Sequence, residues 1–433
     1  MHNSPGLHEL SAASAAAAIA AGEITSVALV EACLARIESR DALVGAWSYV
    51  HSDMALAAAR EADAARAAGR PLGRLHGVPV GIKDIFDTAD MPTECGSELF
   101  QGRQPGEDAA AVSTLREAGA VVAGKTVTAE LALSAPGRTA NPLDVRRTPG
   151  GSSSGSAAAV ADCMVPLAIG SQTTGSVVRP ASYCGIYGFK PSFGSISTAG
   201  MHLLAEPLDH VGVFARHLDD IALIAEVLMP AGFRTGAATD APVADKLRIG
   251  VVRAPVWNEA DADARARFDA WAEHHELREV VDLGETFENA VACQRIILDA
   301  NLAANLGVHF GKHPQRMKAI TRARVRGGLT IAASTFIDAM ACADRQRARI
   351  EEVFGDYDAL VTLAAPGEAP LGHSSTGNAI FSAIWTMLGV PAISLPLLAG
   401  VNGLPIGVQL IGARDADARL LSISRELARW SPP

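Results

Sequence analysis

The chain has 433 residues, 49% of them apolar and 19% charged, a composition that suits a large buried core and excludes a disordered chain. A formal charge of −10 excludes a dedicated nucleic-acid binder, which needs a concentrated surplus of lysine and arginine to neutralise phosphate. Length alone leaves one large α/β unit or two to three smaller domains open. The alanine-rich start from Ala12 to Ala21 reads as an ordinary helix, because no lysine or arginine precedes it and Glu9 and Glu23 border it. After Thr25 or Ser26 as N-cap, Val27, Val30, Leu34 and Ile37 repeat at helical spacing, and a further alanine-rich helix runs from about Met54 to Gly69 and Pro71. Two helices after Thr25 thus precede the first expected strand, GVPVGIKD, which ends on Lys83 and Asp84. A helix around AAVSTLREAG stops at Gly119 before a second short strand, AVVAGK, and a third unit runs from SAAAVADC into VPLAIGSQT. This alternation is that of a layered α/β protein. The span from about 230 to 245 has no periodicity and reads as a connection, and helices fill most of about 261–354. Later strands are expected at LRIGVV, ALVTL, PAISLP and PIGVQLIG.

No internal repeat appears and no linker divides the chain. No apolar run approaches the ~20 residues that cross a bilayer, so a soluble protein is expected. Cys33, Cys95, Cys163, Cys184, Cys293 and Cys342 show no close pairing, which argues against a zinc cluster or a disulfide framework and for a reducing compartment, the cytoplasm. The basic stretch Lys312, Arg316, Lys318, Arg322, Arg324 and Arg326 reads as a solvated helix face rather than a polyanion site.

Chemistry concentrates in TPGGSSSGSAAAV, from Thr148 to Val160. A flexible linker would not lead at once into a compact alanine helix and a buried strand. A phosphate loop needs a lysine after its second glycine, and here Ser156 follows Gly155. Gly151, Ser153 and Gly155 also fit a nucleophile elbow, but that elbow must follow an apolar strand, and NPLDVRRTPG is polar and broken by proline. A serine-rich loop that can approach a reacting centre remains. It is read together with GSQTTGSVVRPASYCGIYGFKPS, from Gly170 to Ser192. There, backbone N–H groups of Thr173, Thr174, Gly175 and Ser176 sit where a tight turn can aim them at one oxyanion. Serine needs a base, and no histidine stands at a suggestive distance from either loop. Lys83, at the end of a buried strand, can serve if desolvation keeps it neutral.

These segments resemble the amidase signature family. GIKD, GGSSSGSAAAV and GSQTTGSVVRPASYCGIYGFKPS match its core motif, and the intervals of 69 from Lys83 to Ser152 and 24 from Ser152 to Ser176 fit its catalytic spacing. Further matches are SVALVEACLARIE, DTADMPTECGSE, GKT at Gly124 to Thr126, PAISLP and GLPIGVQLIG, so the resemblance covers nearly the whole chain. Within the family the chain is most similar to the short malonamidase type. The resemblance implies one amidase domain over 1–433, a large mixed β-sheet sandwiched between helical layers, with the core motif at about 77–200. It implies that Ser176 attacks the carbonyl, that Ser152 passes the proton through a cis peptide bond, that Lys83 is the ultimate base, and that Thr173 to Ser176 form the oxyanion hole. Thr174 departs from the frequent glycine and Gln172 from the frequent aspartate, the latter as in the malonamidase-like subgroup.

His309 and His313 stand four apart, but no third ligand motif accompanies them, so neither a metal nor another cofactor is expected. His274 and His275 are neighbours that point apart on a helix, which suits a surface. Arg179 has two readings: a salt bridge that holds a strand to the core, or, as the malonamidase resemblance implies, a planar fork for a substrate carboxylate. GMHLLAEPLDHVG, from Gly200 to Gly212, is expected to border the pocket, with Met201, Leu203 and Leu204 making it apolar and favouring bulky or aromatic substrates. A free-standing hydrolase of aryl or alkyl amides, carbamates (urethanes) and some esters is the leading expectation. The alternatives are a small half-amide hydrolase, the glutaminase subunit of a tRNA-dependent amidotransferase, and a catalytically silent binding protein. The expected partner is a small-molecule amide or carbamate, without nucleic acid or membrane, with a homodimer left open.

Overall fold

Side-chain caps and left-handed glycines bound the first two helices. Ser11 accepts from Ser14 N ahead of α1 (Ala12–Ala21), and Thr25 accepts from Ala28 N ahead of α2 (Ser26–Val44). Gly22 at φ 75° and Gly45 at φ 64° end them, a conformation that favours glycine. The computed structural model describes residues 6–229, 247–253 and 255–429. The connection expected at about 230–245 falls outside them.

A strand that the sequence pattern does not reveal, β1 (Trp47–Val50), lies between α2 and α3 (Ser52–Ala67), so the strand that ends in Lys83 is the second and not the first. β1 has four residues and only Trp47 is buried, too short a stretch for period-2 alternation to show. β2 (Pro79–Lys83), α4 (Ala110–Glu117), β3 (Val121–Thr126), α5 (Ser154–Ala161) and β4 (Leu167–Gln172) follow the expected alternation. α6 (Val178–Cys184), β5 (Tyr187–Lys190), β6 (His210–Ala215) and α7 (Leu218–Leu228) come next. After β7 (Ile249–Val251), α8 (Ala262–His274), α9 (Ala290–Lys312), α10 (Ala319–Gly328) and α11 (Ala333–Asp356) make the expected helical span. β8 (Ala359–Leu363), α12 (Ile380–Leu388), β9 (Ala392–Ala399), β10 (Pro405–Ile411) and α13 (Asp417–Leu427) complete the described chain.

All ten strands form one mixed sheet in the order β1-β3-β2-β4-β6-β5-β9-β10-β8-β7. β2 is parallel to both β3 and β4, whereas β4 and β6 run antiparallel. Successive side chains point to opposite faces, which assigns each face its helices. On β4 and β6, Leu167, Ile169, Val213 and Ala215 join the core that holds Ile221 and Ile224 of α7. Ala168 and Phe214 join the core made with Ala157 to Val160 of α5 and Ala181 of α6. The result is a single-domain α/β fold with helices on both sides of the sheet. Among the described residues no helix is long and apolar enough to cross a membrane.

Candidate active site

Lys83 closes β2, whose five residues are all buried. Ile82 lies opposite Ile169 on the parallel neighbour β4, so Lys83 and Ser171 occupy the same end of adjacent strands. Lys83 Nζ donates to Ser152 Oγ and to Ser171 Oγ, both at 2.8 Å. Burial pushes the amine down to about 7, against the charges of Asp209 and Cys95, which favour its protonated form.

The serine loop reaches Lys83 because its backbone packs where no side chain fits. A Cβ on Gly155 would lie 2.2 Å from Ala46 O and 2.3 Å from Val127 N. Ser153 Oγ donates to Ser171 O at 3.2 Å and Ser156 Oγ to Ile169 O at 2.9 Å, which ties the loop and the start of α5 to β4. The Gly151–Ser152 peptide is cis.

Ser176 follows β4 through the turn Thr173–Gly175 and leads into α6. Gln172 Oε1 accepts from Val177 N at 2.8 Å and Val178 N at 3.0 Å, so a carboxamide anchors the turn as an acceptor. Thr386 Oγ1 donates to Thr174 O at 2.6 Å, and Thr173 Oγ1 donates to Asp209 Oδ1 at 2.5 Å. Burial pushes the Asp209 carboxyl up to about 6, opposed first by the Thr173 bond and then by the N–H groups of Ala205 and Leu204. Gln294 Nε2 donates to Thr173 O and Thr174 Oγ1, both at 3.1 Å.

Thr173, Thr174 and Ser176 line a cavity of about 420 Å³. Gly175 instead backs onto the start of α12, where an added Cβ would sit 3.1 Å from Ala379 and Ser382. Exposure falls from 7% at Ser176 to 1% at Ser152 and 0% at Lys83, so a molecule in the cavity meets Ser176 first.

The expected apolar border is corrected. Of Met201, Leu203 and Leu204, only Leu204 lines the cavity. Met201 forms a bridge with Phe86 and is buried in the main core, and Leu203 packs part-buried against that core. The wall is nonetheless apolar at Leu133, Val291, Leu298 and Ile320, and it also holds Arg179, Arg295 and Arg324, with no aspartate or glutamate among its described residues. Arg179 lies in α6 rather than in a strand, and its guanidinium bonds backbone carbonyls: Nη1 donates to Gly377 O at 2.8 Å and to Thr376 O, and Nη2 to Gly151 O at 2.6 Å. Its Nε is buried and has no partner among the described residues. Burial lowers its affinity for the proton to a pKa of about 10. The salt bridge expected for Arg179 does not occur among the described residues. Arg324, read from the sequence as part of a solvated face, turns inward and shares Asp299 with Arg295.

Ser171, Asp209, Gln294, Arg295 and Arg324 are site residues that the sequence reading does not single out. Ser171 has a signal, since it lies near the end of the short apolar strand read at VPLAIGSQT. Gln294 lies 118 residues beyond Ser176 in a helix, where no local pattern marks it. His309, read with His313 as a weak metal pair, packs edge-on against Phe100 at 5.4 Å between ring centroids.

A buried lysine bonded to a serine beside a cavity suits acyl transfer, and the family match and relatives that follow make the chain a hydrolase of non-peptide carbon–nitrogen bonds. The Amidase family model matches residues 28–421, and the chain belongs to that family. It is 35% identical over 471 residues to a glutamyl-tRNA(Gln) amidotransferase subunit of Acidothermus cellulolyticus, over 95% of this chain and 92% of that one. It is similar, with a TM-score of 0.89 and 28% identity over 98% of this chain and 100% of the other, to a structure described as an unexpected vestigial protein complex revealing the evolutionary origins of an s-triazine catabolic enzyme. A native peptide amidase from Stenotrophomonas maltophilia has a TM-score of 0.81 and 27% identity over 98% of each chain. None of these three is named a malonamidase, so that finer likeness rests on the motifs.

Proposed function

We propose that the chain, acting as one amidase domain, hydrolyses small amides that carry a carboxylate, through an acyl-enzyme on Ser176. The buried amine of Lys83, 2.8 Å from Ser152 Oγ, carries this reading. A neutral amine at the inner end of the site can take the proton of Ser152 while Ser152 takes that of Ser176. Ser176 Oγ then bonds the carbonyl carbon, and the N–H groups of Thr173, Thr174, Gly175 and Ser176 serve the oxyanion. The carbon–nitrogen bond breaks as the relayed proton returns to the leaving nitrogen. Water attacks the resulting ester, gives its proton to the same relay and releases the acid, with Ser176 reprotonated.

Arg179 supports the substrate class. Of the five N–H donors of a guanidinium, three are used on carbonyls, and none of its partners is a carboxylate. A substrate carboxylate would supply the missing negative charge. Aryl amides, carbamates and esters present the same acyl carbon and are candidates where they also carry an acid group. Arg179→Ala should raise KM for a half-amide roughly tenfold or more beyond its effect on a neutral amide of similar size, as expected for one charge-assisted contact. Equal losses on both would assign Arg179 to support of the carbonyls of Gly151, Thr376 and Gly377 alone.

The sequence identity with the amidotransferase chain supports a second reading, glutaminase activity with partner chains. Among the described residues, the cavity wall offers the α-ammonium group of glutamine no carboxylate side chain. Ammonia release from glutamine, with and without added partner chains, separates the readings.

A further inference from the structure

Gln294 is 3% exposed, yet it lines the cavity that Ser176 faces. Its amide orientation is fixed by chemistry. Thr173 O accepts only, so the atom 3.1 Å from it must be Nε2, and the second contact of Nε2 goes to Thr174 Oγ1 at 3.1 Å. Both hydrogens of the amide are thereby committed to the turn. Oε1 takes no hydrogen bond among the described residues and is not sealed among the buried unpartnered atoms, so it opens to the cavity.

We propose that Gln294 is a specificity-determining residue whose Oε1 accepts a hydrogen bond from the N–H of the nitrogen on the attacked carbonyl, selecting unsubstituted and mono-substituted amides over esters. The anchors of the amide, Thr173 and Thr174, belong to the turn that precedes Ser176, and Gln294 and Ser176 line the same cavity. An acceptor presented by a rigid amide has a partner in every N–H-bearing substrate and none in an ester, whose alkoxy oxygen repels it. The substrate class narrows to compounds whose scissile nitrogen carries at least one hydrogen: primary carboxamides, ureido groups and secondary amides. This selection rests on the proposed acyl transfer to Ser176 but not on the carboxylate reading.

The test is the ratio of kcat/KM for an amide to that for the methyl ester of the same acid, in wild-type protein and in Gln294→Met, which keeps length and removes both amide functions. It is read on two pairs, one from a dicarboxylic acid and one from a neutral monocarboxylic acid. The amide-to-ester ratio should fall roughly tenfold in the variant on each pair that wild-type protein hydrolyses, the factor of one lost hydrogen bond. A uniform fall in both activities at constant ratio would overturn the proposal and leave Gln294 as a support for the turn. Turnover of the neutral pair alone would overturn the carboxylate reading, while its ratio still decides the role of Gln294. Loss of the change in ratio in Gln294→Glu, which restores an acceptor, would support the proposal further.

Discussion

At the scale of single residues, activity depends on keeping one amine uncharged. Lys83 has no exposed surface, and its pKa is lowered to about 7 by desolvation. Below that value the ammonium form holds the proton that the relay must accept, and above it the lone pair is free. kcat/KM for a neutral substrate should therefore rise through one ionisation near neutral pH and stay level on the alkaline side. Lys83→Ala should remove that ionisation and lower kcat by orders of magnitude. An unchanged profile in the variant would require another base. Asp209, just before β6, accepts from Thr173 of the turn before Ser176, and burial pushes its carboxyl up to about 6. Lys83 stands out in the sequence as a lysine in an apolar strand, whereas Ser152 and Ser176 are picked from among their neighbouring serines only by the family resemblance of their segments. Arg324 and Gln294 were not, because a basic or amide residue on a helix reads as surface until another helix or a turn lies against it.

At the scale of elements, the glycines show which backbone approaches are fixed. Gly155 packs against Ala46 O and Val127 N, both backbone atoms that cannot rotate away. Gly155→Ala should cost about 1–3 kcal/mol or more in urea unfolding and weaken the Ser152 loop. Gly311→Ala in the exposed last turn of α9, where nothing lies within 4 Å of an added Cβ, should be neutral or slightly stabilising. Equal effects would show that the close approach at Gly155 is not obligatory. The long helices and the fully buried strands β2, β3, β4 and β8 were legible from periodicity and apolar runs. β5 and β6 were missed, because YGFK and HVGVFA carry a glycine inside a short strand, and their antiparallel pairing with each other and with β9 and β4 is a tertiary choice.

At the scale of the whole molecule, the chain carries −10, yet the described wall of its cavity holds three arginines, two of them paired with Asp299, and no aspartate or glutamate. The wall draws residues from six stretches of the chain, at 132–134, 173–179, 204, 291–298, 320–324 and 374–383. Segments so far apart in sequence leave no joint pattern, which is why the class of reaction was readable and the pocket was not. The most direct test is to mix the protein with a slowly hydrolysed amide or activated ester, quench in acid, and locate the added acyl mass by peptide mapping. The expected result is one acyl group on Ser176, absent from Ser176→Ala, which should also lack turnover. An acyl group on another residue, or undiminished turnover by Ser176→Ala, would contradict it.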